Sequence, residues 1–209
     1  MNAIFIDLWE RSGFPGKGID VFNQLMKYYS ESERYYHNIL HIQNCLNEFG
    51  LIKNVLLKPL SIEWAIWFHD VIYDPKSKLN EEKSADLAFD ILQKVGGSID
   101  LLKNVHDLII ATKHNSVLKD IESQILADID LSILGSQPSQ YLEYSRNIRK
   151  EYGFVPFKEY CGGRIKVLQA FLSRPSIYYT EYFQEKYESA SRCNIKNEIE
   201  NLNSRLKEL

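Results

Sequence analysis

Cysteine is scarce in this chain, and so are long apolar runs and any surplus of basic charge. The 209 residues include three cysteines, Cys45, Cys161 and Cys193, which lie far apart and form no CxxC pair. Their spacing predicts neither a disulfide framework nor a zinc–thiolate site, and we expect Cys45 to be a core residue. The formal net charge is −3, so we expect no nucleic acid and no anionic membrane as partner.

The sequence also lacks signals for membrane insertion and export. No apolar stretch is long enough to cross a bilayer. The first residues show no basic start followed by a long apolar run, so we predict no secretory signal. A reducing, cytoplasmic location is therefore expected, while the sequence does not indicate an oligomeric state.

Helical periodicity dominates the residues that are present. Hydrophobic residues make up 44% of the chain and charged residues 25%, which is typical of a globular protein. No strand-like alternation persists, and no repeat or low-complexity linker interrupts the pattern. We therefore predict one all-α domain of eight or more helices over residues 1–209, with a core of roughly 30–200.

Capping and breaking residues predict where several helices begin and end. Glycines are expected to stop two of the helices, at Gly50 and Gly135. Polar caps and prolines predict helix starts at or just after seven positions, namely Ser61, Asn80, Ser98, Ser123, Pro138, Pro156 and Thr180.

The dipeptide His69-Asp70 is the most informative feature of the sequence. It lies within WAIWFHDVIY, residues 64–73, where nearly every other side chain is apolar. A segment that is apolar almost all round is typical of a central, buried helix. Burying an imidazole and a carboxylate is costly unless something compensates them, and a divalent cation can do so.

Two further polar groups lie on apolar helical segments. His37 and His41 are four residues apart, so a helix would place both on one face. Asp128 and Asp130 lie together in a second apolar helical segment. Each group alone is weak evidence, but together they provide a His, a His-Asp pair and an Asp on three apolar helices.

The order and setting of these residues resemble the HD superfamily of metal-dependent phosphohydrolases. The signature of that superfamily is a His, a His-Asp pair and an Asp on helices of an all-α core. More specifically, the chain resembles a small branch of predicted HD phosphohydrolases without a settled substrate. The resemblance spans roughly residues 30–200, and its local matches are YHNILHI at 36–42, WFHDVIYD at 67–74, NEEKSA at 80–85 and DIDLSILG at 128–135.

The resemblance implies a set of metal ligands. His41, His69 and Asp70 would bind the metal, and one of Asp128 and Asp130 would complete the set. Asp130 precedes a leucine-rich turn and is preferred, whereas Asp128 matches a common Ala-Asp pattern. The other acid could orient a ligand or bind a second ion. Such a mixed nitrogen and oxygen site suits Mn, Fe, Zn, Ni or Mg.

In addition to Asp70, two residues are candidates for catalytic proton transfer, namely Asp74 and Glu81. Asp74 follows Asp70 by four residues and would share its helix face if the helix extends so far. Alternatively, Asp74 is a turn residue before Pro75. Glu81 lies at a helix start, where the helix dipole alone also favours an acid.

Several further residues are candidates for contacting substrate. His37 would face the same cavity as His41. His114 lies at a helix end, where some HD proteins place a histidine for a second metal or a phosphate; the alternative is a surface cap. Cationic side chains could bind phosphate, and the candidates are Arg149 and Arg164, together with Arg34, Lys113 and Arg146.

A second His-Asp pair, His106-Asp107, repeats the letters of His69-Asp70 in a different setting. Its neighbours are mixed, and no histidine lies at a matching distance upstream. We therefore expect a structural role for it.

The leading functional hypothesis is a metal-dependent phosphohydrolase that acts on a small phosphorylated molecule, with nucleotides among the candidates. One alternative is a di-iron oxygenase or lyase of HD fold, with His37, His114 and Asp128 as extra ligands. The other is a non-catalytic module that binds a metal or a nucleotide.

Overall fold

The computed structural model describes residues 1–114 and 117–208. All regular secondary structure within these ranges is helical, which confirms the all-α prediction. The chain groups into two compact units, residues 1–129 and the residues from Asp130 onward. A single domain of HD type stays a prediction.

Most residues of the first unit are in helices. A short 3₁₀ helix, Lys53–Val55, follows the third α-helix. In chain order the α-helices are α1 (Asn2–Arg11), α2 (Ile19–Tyr29), α3 (Ile39–Ile52), α4 (Pro59–Phe68), α5 (Asn80–Lys94), α6 (Ile99–Ala111) and α7 (Ile121–Asp130).

Helix α4 is the centre of the first unit, and it is buried as its sequence predicts. Trp64, Trp67 and Phe68 are fully buried. Phe5 of α1 packs edge-on against both tryptophans, with ring centroids 5.4 and 5.1 Å apart, a favourable aromatic geometry. Helix α4 also contacts α3, α5 and α6. A helix that is apolar almost all round therefore has neighbours on several sides.

The second unit contains a 3₁₀ helix, Leu131–Gly135, and the helices α8 (Pro138–Glu151), α9 (Phe157–Leu172) and α10 (Glu181–Lys207). Helix α10 packs against the 3₁₀ helix and against α9. Gly135 permits the first of these contacts, because a Cβ at that position would lie only 2.6 Å from the Cβ of Tyr187. Asn194 of α10 adds a hydrogen bond by donating to the Leu134 carbonyl at 2.9 Å.

Several helix starts agree with their local signals. Ser98 caps α6, since its hydroxyl accepts a hydrogen bond from the Leu101 amide at 3.3 Å. Asn80 is the first residue of α5. The remaining helices that begin as predicted are those after Pro156 and Thr180 and the one that starts at Pro138.

Other predicted boundaries are wrong by a few residues. Helix α3 continues through Gly50. Helix α4 begins at Pro59, two residues before Ser61, because proline is well suited to the first helical position. The cap of α7 is Asp120, whose carboxylate accepts a hydrogen bond from the Ser123 amide at 2.8 Å. In α7 a better-placed polar side chain therefore displaced the predicted cap.

Candidate metal centre

His69 and Asp70 lie at the point where the buried helix α4 ends. The His69 amide still donates to the Ala65 carbonyl at 2.8 Å, whereas the Val71 amide turns back to Phe68 at 3.0 Å. The His69 side chain is 2% exposed and the Asp70 side chain 17%. The tight turn after α4 therefore presents both side chains from the end of a rigid, buried element.

His41 comes from the first turn of α3 and meets this pair. Asn38 caps the helix by accepting a hydrogen bond from the Leu40 amide at 2.9 Å. The Nε2 atom of His41 lies 3.0 Å from Nε2 of His69 and 3.3 Å from Oδ2 of Asp70. Nε2 of His69 lies 3.2 Å from the same oxygen. Two ring nitrogens and one carboxylate oxygen therefore converge within 3.3 Å of one another.

The hydrogen bond at Nδ1 of His69 indicates the protonation of the ring. Nδ1 of His69 lies 3.0 Å from the Ile66 carbonyl, and a carbonyl only accepts, so Nδ1 carries the proton. In the neutral ring Nε2 is then a lone pair. In the protonated ring Nε2 donates to the Asp70 carboxylate, whereas in the neutral ring the Nε2 lone pair can bind a cation. A ring nitrogen whose partner nitrogen donates to a backbone carbonyl is typical of histidine ligands.

Asp70 carries the negative charge that such a cation needs. Burial opposes the ionisation of this carboxyl group. The positive charges of His69 and His37 and the hydrogen bonds from His41 and His69 outweigh burial and hold the pKa of Asp70 well below its usual range. The group is therefore a carboxylate at neutral pH.

Arg34 holds the backbone that carries Asp70. Its guanidinium donates to the Asp70 carbonyl at 2.5 Å and to the Val71 carbonyl at 2.8 Å. It also donates to the His37 carbonyl at 3.3 Å and to the Glu31 carboxylate at 2.8 Å. The Arg34 side chain is buried, so this predicted phosphate clamp instead ties the loop before α3 to the turn after α4.

Helix α7 brings a further acid to the histidines. Asp130 is its last residue, and the rest of the helix belongs to the first unit. Ligand atoms of His41, Cys45, His69 and Asp130 all lie within 4.8 Å of one another. This is the only such group in the part of the chain that the structure describes. Asp128 is fully buried and does not belong to the group, so of the two candidate acids the structure brings Asp130 to the histidines.

Cys45 is the residue that the sequence interpretation did not propose as a ligand. Its side chain is buried, as expected for a core residue, but its Sγ also lies 3.8 Å from both ring nitrogens of His41. The signal was the spacing of four residues from His41, which places both on one face of α3. A thiolate is a softer donor than a carboxylate and favours Zn or Fe over Mg.

His37 is close to the centre but does not lie on a helix. Helix α3 begins at Ile39, after the Asn38 cap, so the predicted helical face shared with His41 is wrong. The His37 ring stacks on Tyr73 at 4.0 Å between centroids and lies 6.0 Å from the ring of His41. His37 therefore lies near the site because of the loop before α3, and not because it shares a helix with His41.

Asp74 has the turn role that the sequence left open. Because α4 ends at Phe68, Asp74 does not share a helix face with Asp70. Its carboxylate accepts a hydrogen bond from the Lys76 amide at 2.9 Å. Its own amide and carbonyl bond the side chain of Asn80 at 3.1 and 2.9 Å. Asp74 is exposed and closes the loop before α5.

The structure does not bring two other candidates into the four-residue group. Glu81 is half-buried in the first turn of α5, and its neighbour Glu82 forms an ion pair with Lys113. This ion pair engages Lys113, one of the side chains that the sequence suggested for phosphate binding. His114 follows the end of α6 with a φ of 53°, in the left-handed region.

The second His-Asp pair lies in a setting unlike that of the first. The side chains of His106 and Asp107 are 35% and 63% exposed. Nε2 of His106 also lies 3.8 Å from Asp86. Water can compensate these groups, so nothing in their surroundings calls for a cation.

Two of the arginines proposed for phosphate binding, Arg149 and Arg164, lie in the second unit and differ from each other. Arg164 is buried and donates two hydrogen bonds to the Glu198 carboxylate, at 2.9 and 3.1 Å. Arg149 donates to the carbonyls of Tyr152 and Val155 at 2.6 and 3.1 Å. Arg164 is therefore neutralised within the protein, whereas the partners of Arg149 leave its charge uncompensated.

No family model, no curated protein and no solved structure matches the chain. The functional argument therefore depends on the residues of this chain. Among the described residues, no helix combines the length and apolar character that crossing a membrane requires.

Proposed function

We propose that this chain is a metal-dependent phosphohydrolase of HD type, which acts on a small phosphorylated molecule in the cytoplasm. The observation that carries the proposal is the convergence of Nε2 of His41, Nε2 of His69 and Oδ2 of Asp70 within 3.3 Å of one another. Imidazole nitrogens and carboxylate oxygens that converge in a buried site are suitable ligands for a divalent cation.

The order of the ligands along the chain supports the reaction class. A histidine, a His-Asp pair and a later aspartate, here Asp130, form the signature that the sequence shares with HD phosphohydrolases. A divalent cation held by these residues would lower the pKa of a coordinated water and stabilise the charge that develops on a phosphoryl group.

The protein's own residues prepare the site for this role. Hydrogen bonding to Ile66 orients His69 so that its Nε2 lone pair faces inward. Asp70 supplies negative charge, and Arg34 holds the backbone of Asp70 in place. Asp130 can add a second carboxylate, so that two negative charges balance one divalent cation.

The test is product formation by the purified chain with Mn²⁺, Fe²⁺, Zn²⁺, Ni²⁺ or Mg²⁺ and a panel of phosphomonoesters, nucleotides and cyclic nucleotides. We expect Asp70→Asn to reduce turnover by more than the roughly 100-fold that loss of an outer-shell partner costs. His106→Gln, in the exposed His-Asp pair, is the matched control and should retain full activity. Turnover that is unchanged in Asp70→Asn would contradict the proposal.

Cys45 and the metal count sharpen the assignment. If the Cys45 thiolate binds the cation, Cys45→Ser should shift the preferred metal from Zn²⁺ or Fe²⁺ towards Mn²⁺ or Mg²⁺. An unchanged metal preference would mean that Cys45 is a core residue and not a ligand. Two irons per chain, together with oxygen consumption, would favour the di-iron oxygenase or lyase over the phosphohydrolase.

A further inference from the structure

The second unit contains a cleft of its own. Its volume is about 710 Å³, and residues of α8, α9 and α10 line it. Clefts of this size accommodate small organic ligands. Four cationic side chains line it, namely Arg146, Arg149, Lys150 and Arg205.

The cleft has an excess of positive charge. Glu198 is the only acid that lines it among the described residues. The carboxylate of Glu198 is already engaged by the buried Arg164, by the Tyr141 hydroxyl at 2.6 Å and by the Ser145 hydroxyl at 2.9 Å. The arginines that line the cleft therefore face no uncompensated carboxylate there, and an anion can bind them without displacing one.

Two of the arginines are held in place by aromatic rings. The Arg149 guanidinium lies 4.7 Å from the centroid of the Tyr160 ring, and the Arg205 guanidinium lies 4.4 Å from that of Phe157. Hydrogen bonds to two carbonyls fix Arg149 further. A side chain that is already oriented loses little entropy on binding an anion, and arginine can contact phosphate through two N–H groups at once.

We propose that this cleft binds the phosphate group of a small phosphorylated molecule, through Arg149 together with Arg146 and Arg205. The aromatic rings beside the arginines provide apolar surface for the organic part of the ligand. The proposal uses only residues of the second unit and does not rest on the phosphohydrolase function.

The test is isothermal titration calorimetry of the full chain with EDTA at low ionic strength. The probes are adenosine monophosphate, adenosine, inorganic phosphate and a short single-stranded RNA. We expect adenosine monophosphate to bind and adenosine not to bind. Because hydrogen bonds between charged groups are strong, Arg146→Gln with Arg205→Gln should weaken binding at least about tenfold. Both side chains are exposed, so the variant should fold.

Matched controls separate the cleft from general charge and from the metal centre. Lys94→Gln removes an exposed cation from α5 and should not change the affinity. Asp70→Asn should bind adenosine monophosphate as the wild type does, even if phosphohydrolase activity is never found.

Each outcome decides for or against the cleft. Inorganic phosphate that binds as tightly as adenosine monophosphate would support it and show that the phosphate alone is recognised. The proposal is overturned if no phosphate compound binds, if adenosine binds equally well, or if the double variant keeps its affinity. RNA that binds more than tenfold tighter than the mononucleotide would also overturn it, because a small-molecule site gains little from a longer strand.

Discussion

Two buried polar clusters, one from each unit of the molecule, differ in the side chains that balance their carboxylate. In the second unit, the Glu198 carboxylate accepts two hydrogen bonds from Arg164 and one each from the hydroxyls of Tyr141 and Ser145. Donors surround the acceptor, and a buried cation balances the buried anion. This cluster is complete without a ligand.

In the first unit, histidines surround the carboxylate instead. His69 donates to the Ile66 carbonyl, and Oδ2 of Asp70 lies 3.2 Å from Nε2 of His69 and 3.3 Å from Nε2 of His41. The contrast teaches that burial of charged residues does not by itself indicate function. What distinguishes the two clusters is that arginine, which balances Glu198, cannot ligate a metal, whereas the histidines beside Asp70 can.

The largest effect should follow from breaking the complete cluster. Arg164→Met leaves the Glu198 carboxylate buried without its cation, so we expect the free energy of unfolding to fall by about 3–5 kcal/mol. Urea denaturation measures it, with the exposed Arg146→Met as a control that should change stability by less than about 0.5 kcal/mol. A loss of stability in Arg164→Met no larger than that of the control would show that Arg164 does not stabilise the buried Glu198 carboxylate.

Acid should remove part of the same stabilisation. Burial raises the pKa of Glu198, but the hydrogen bond and charge of Arg164 and the bonds from Tyr141 and Ser145 outweigh burial and lower it below its ordinary value of 4.5. The folded state therefore binds this proton less readily than the unfolded state. The stabilisation is complete above the unfolded pKa and is lost as pH falls through the folded pKa.

The stability difference between wild type and Glu198→Gln should therefore be large at pH 7 and shrink as the pH falls below about 4.5. Urea denaturation at a series of pH values measures this difference. A difference that stays constant over this range would mean that the carboxylate charge of Glu198 is not what the cluster stabilises.

A smaller effect should come from a hydroxyl beside the complete cluster. The Tyr160 hydroxyl is buried and has no hydrogen-bond partner within the ranges that the structure describes, and burial raises its pKa to about 12. Tyr160→Phe should increase the free energy of unfolding by about 1–3 kcal/mol, because it removes an unsatisfied polar group. Tyr141→Phe is the matched control and should decrease stability, since it removes the hydrogen bond to Glu198. Equal losses in both variants would contradict this reading.

The smallest effect should come from changing the cluster of Asp70 and its neighbouring histidines in metal-free protein. Although burial opposes ionisation, the nearby histidines hold the pKa of Asp70 well below its usual range, so Asp70→Asn removes a carboxylate that the folded state stabilises. We expect the free energy of unfolding with EDTA at pH 7 to fall by about 1 kcal/mol, the net value of one hydrogen bond. Thermal or urea denaturation checks it, with Asp107→Asn as the exposed counterpart. A loss comparable to that of Arg164→Met would place Asp70 in a complete structural cluster.

The sequence could predict those parts of the fold that depend on neighbouring residues. Starts such as those at Ser98 and Pro138 follow from a side chain or ring acting within the first turn. The buried helix α4 and the importance of His69-Asp70 followed from a polar pair in an apolar segment.

The parts that could not be predicted depend on partners far along the chain. Arg34 accounts for the turn after α4 by bonding the carbonyls of Asp70 and Val71, and that turn ends the helix before Asp74. Arg164 looked like a phosphate clamp until Glu198, 34 residues away, proved to be its partner. Local spacing contains no information about such contacts.

The most direct test of the central claim is the metal content of the purified chain after equilibration with Mn²⁺, Fe²⁺ or Zn²⁺ and removal of unbound ions. Mass spectrometry of the metals should find one divalent cation per chain in the wild type and in His106→Gln, and none in Asp70→Asn. A wild type that holds no metal, or an Asp70→Asn variant that holds as much as the wild type, would contradict the claim that the buried histidines and Asp70 are completed by a cation.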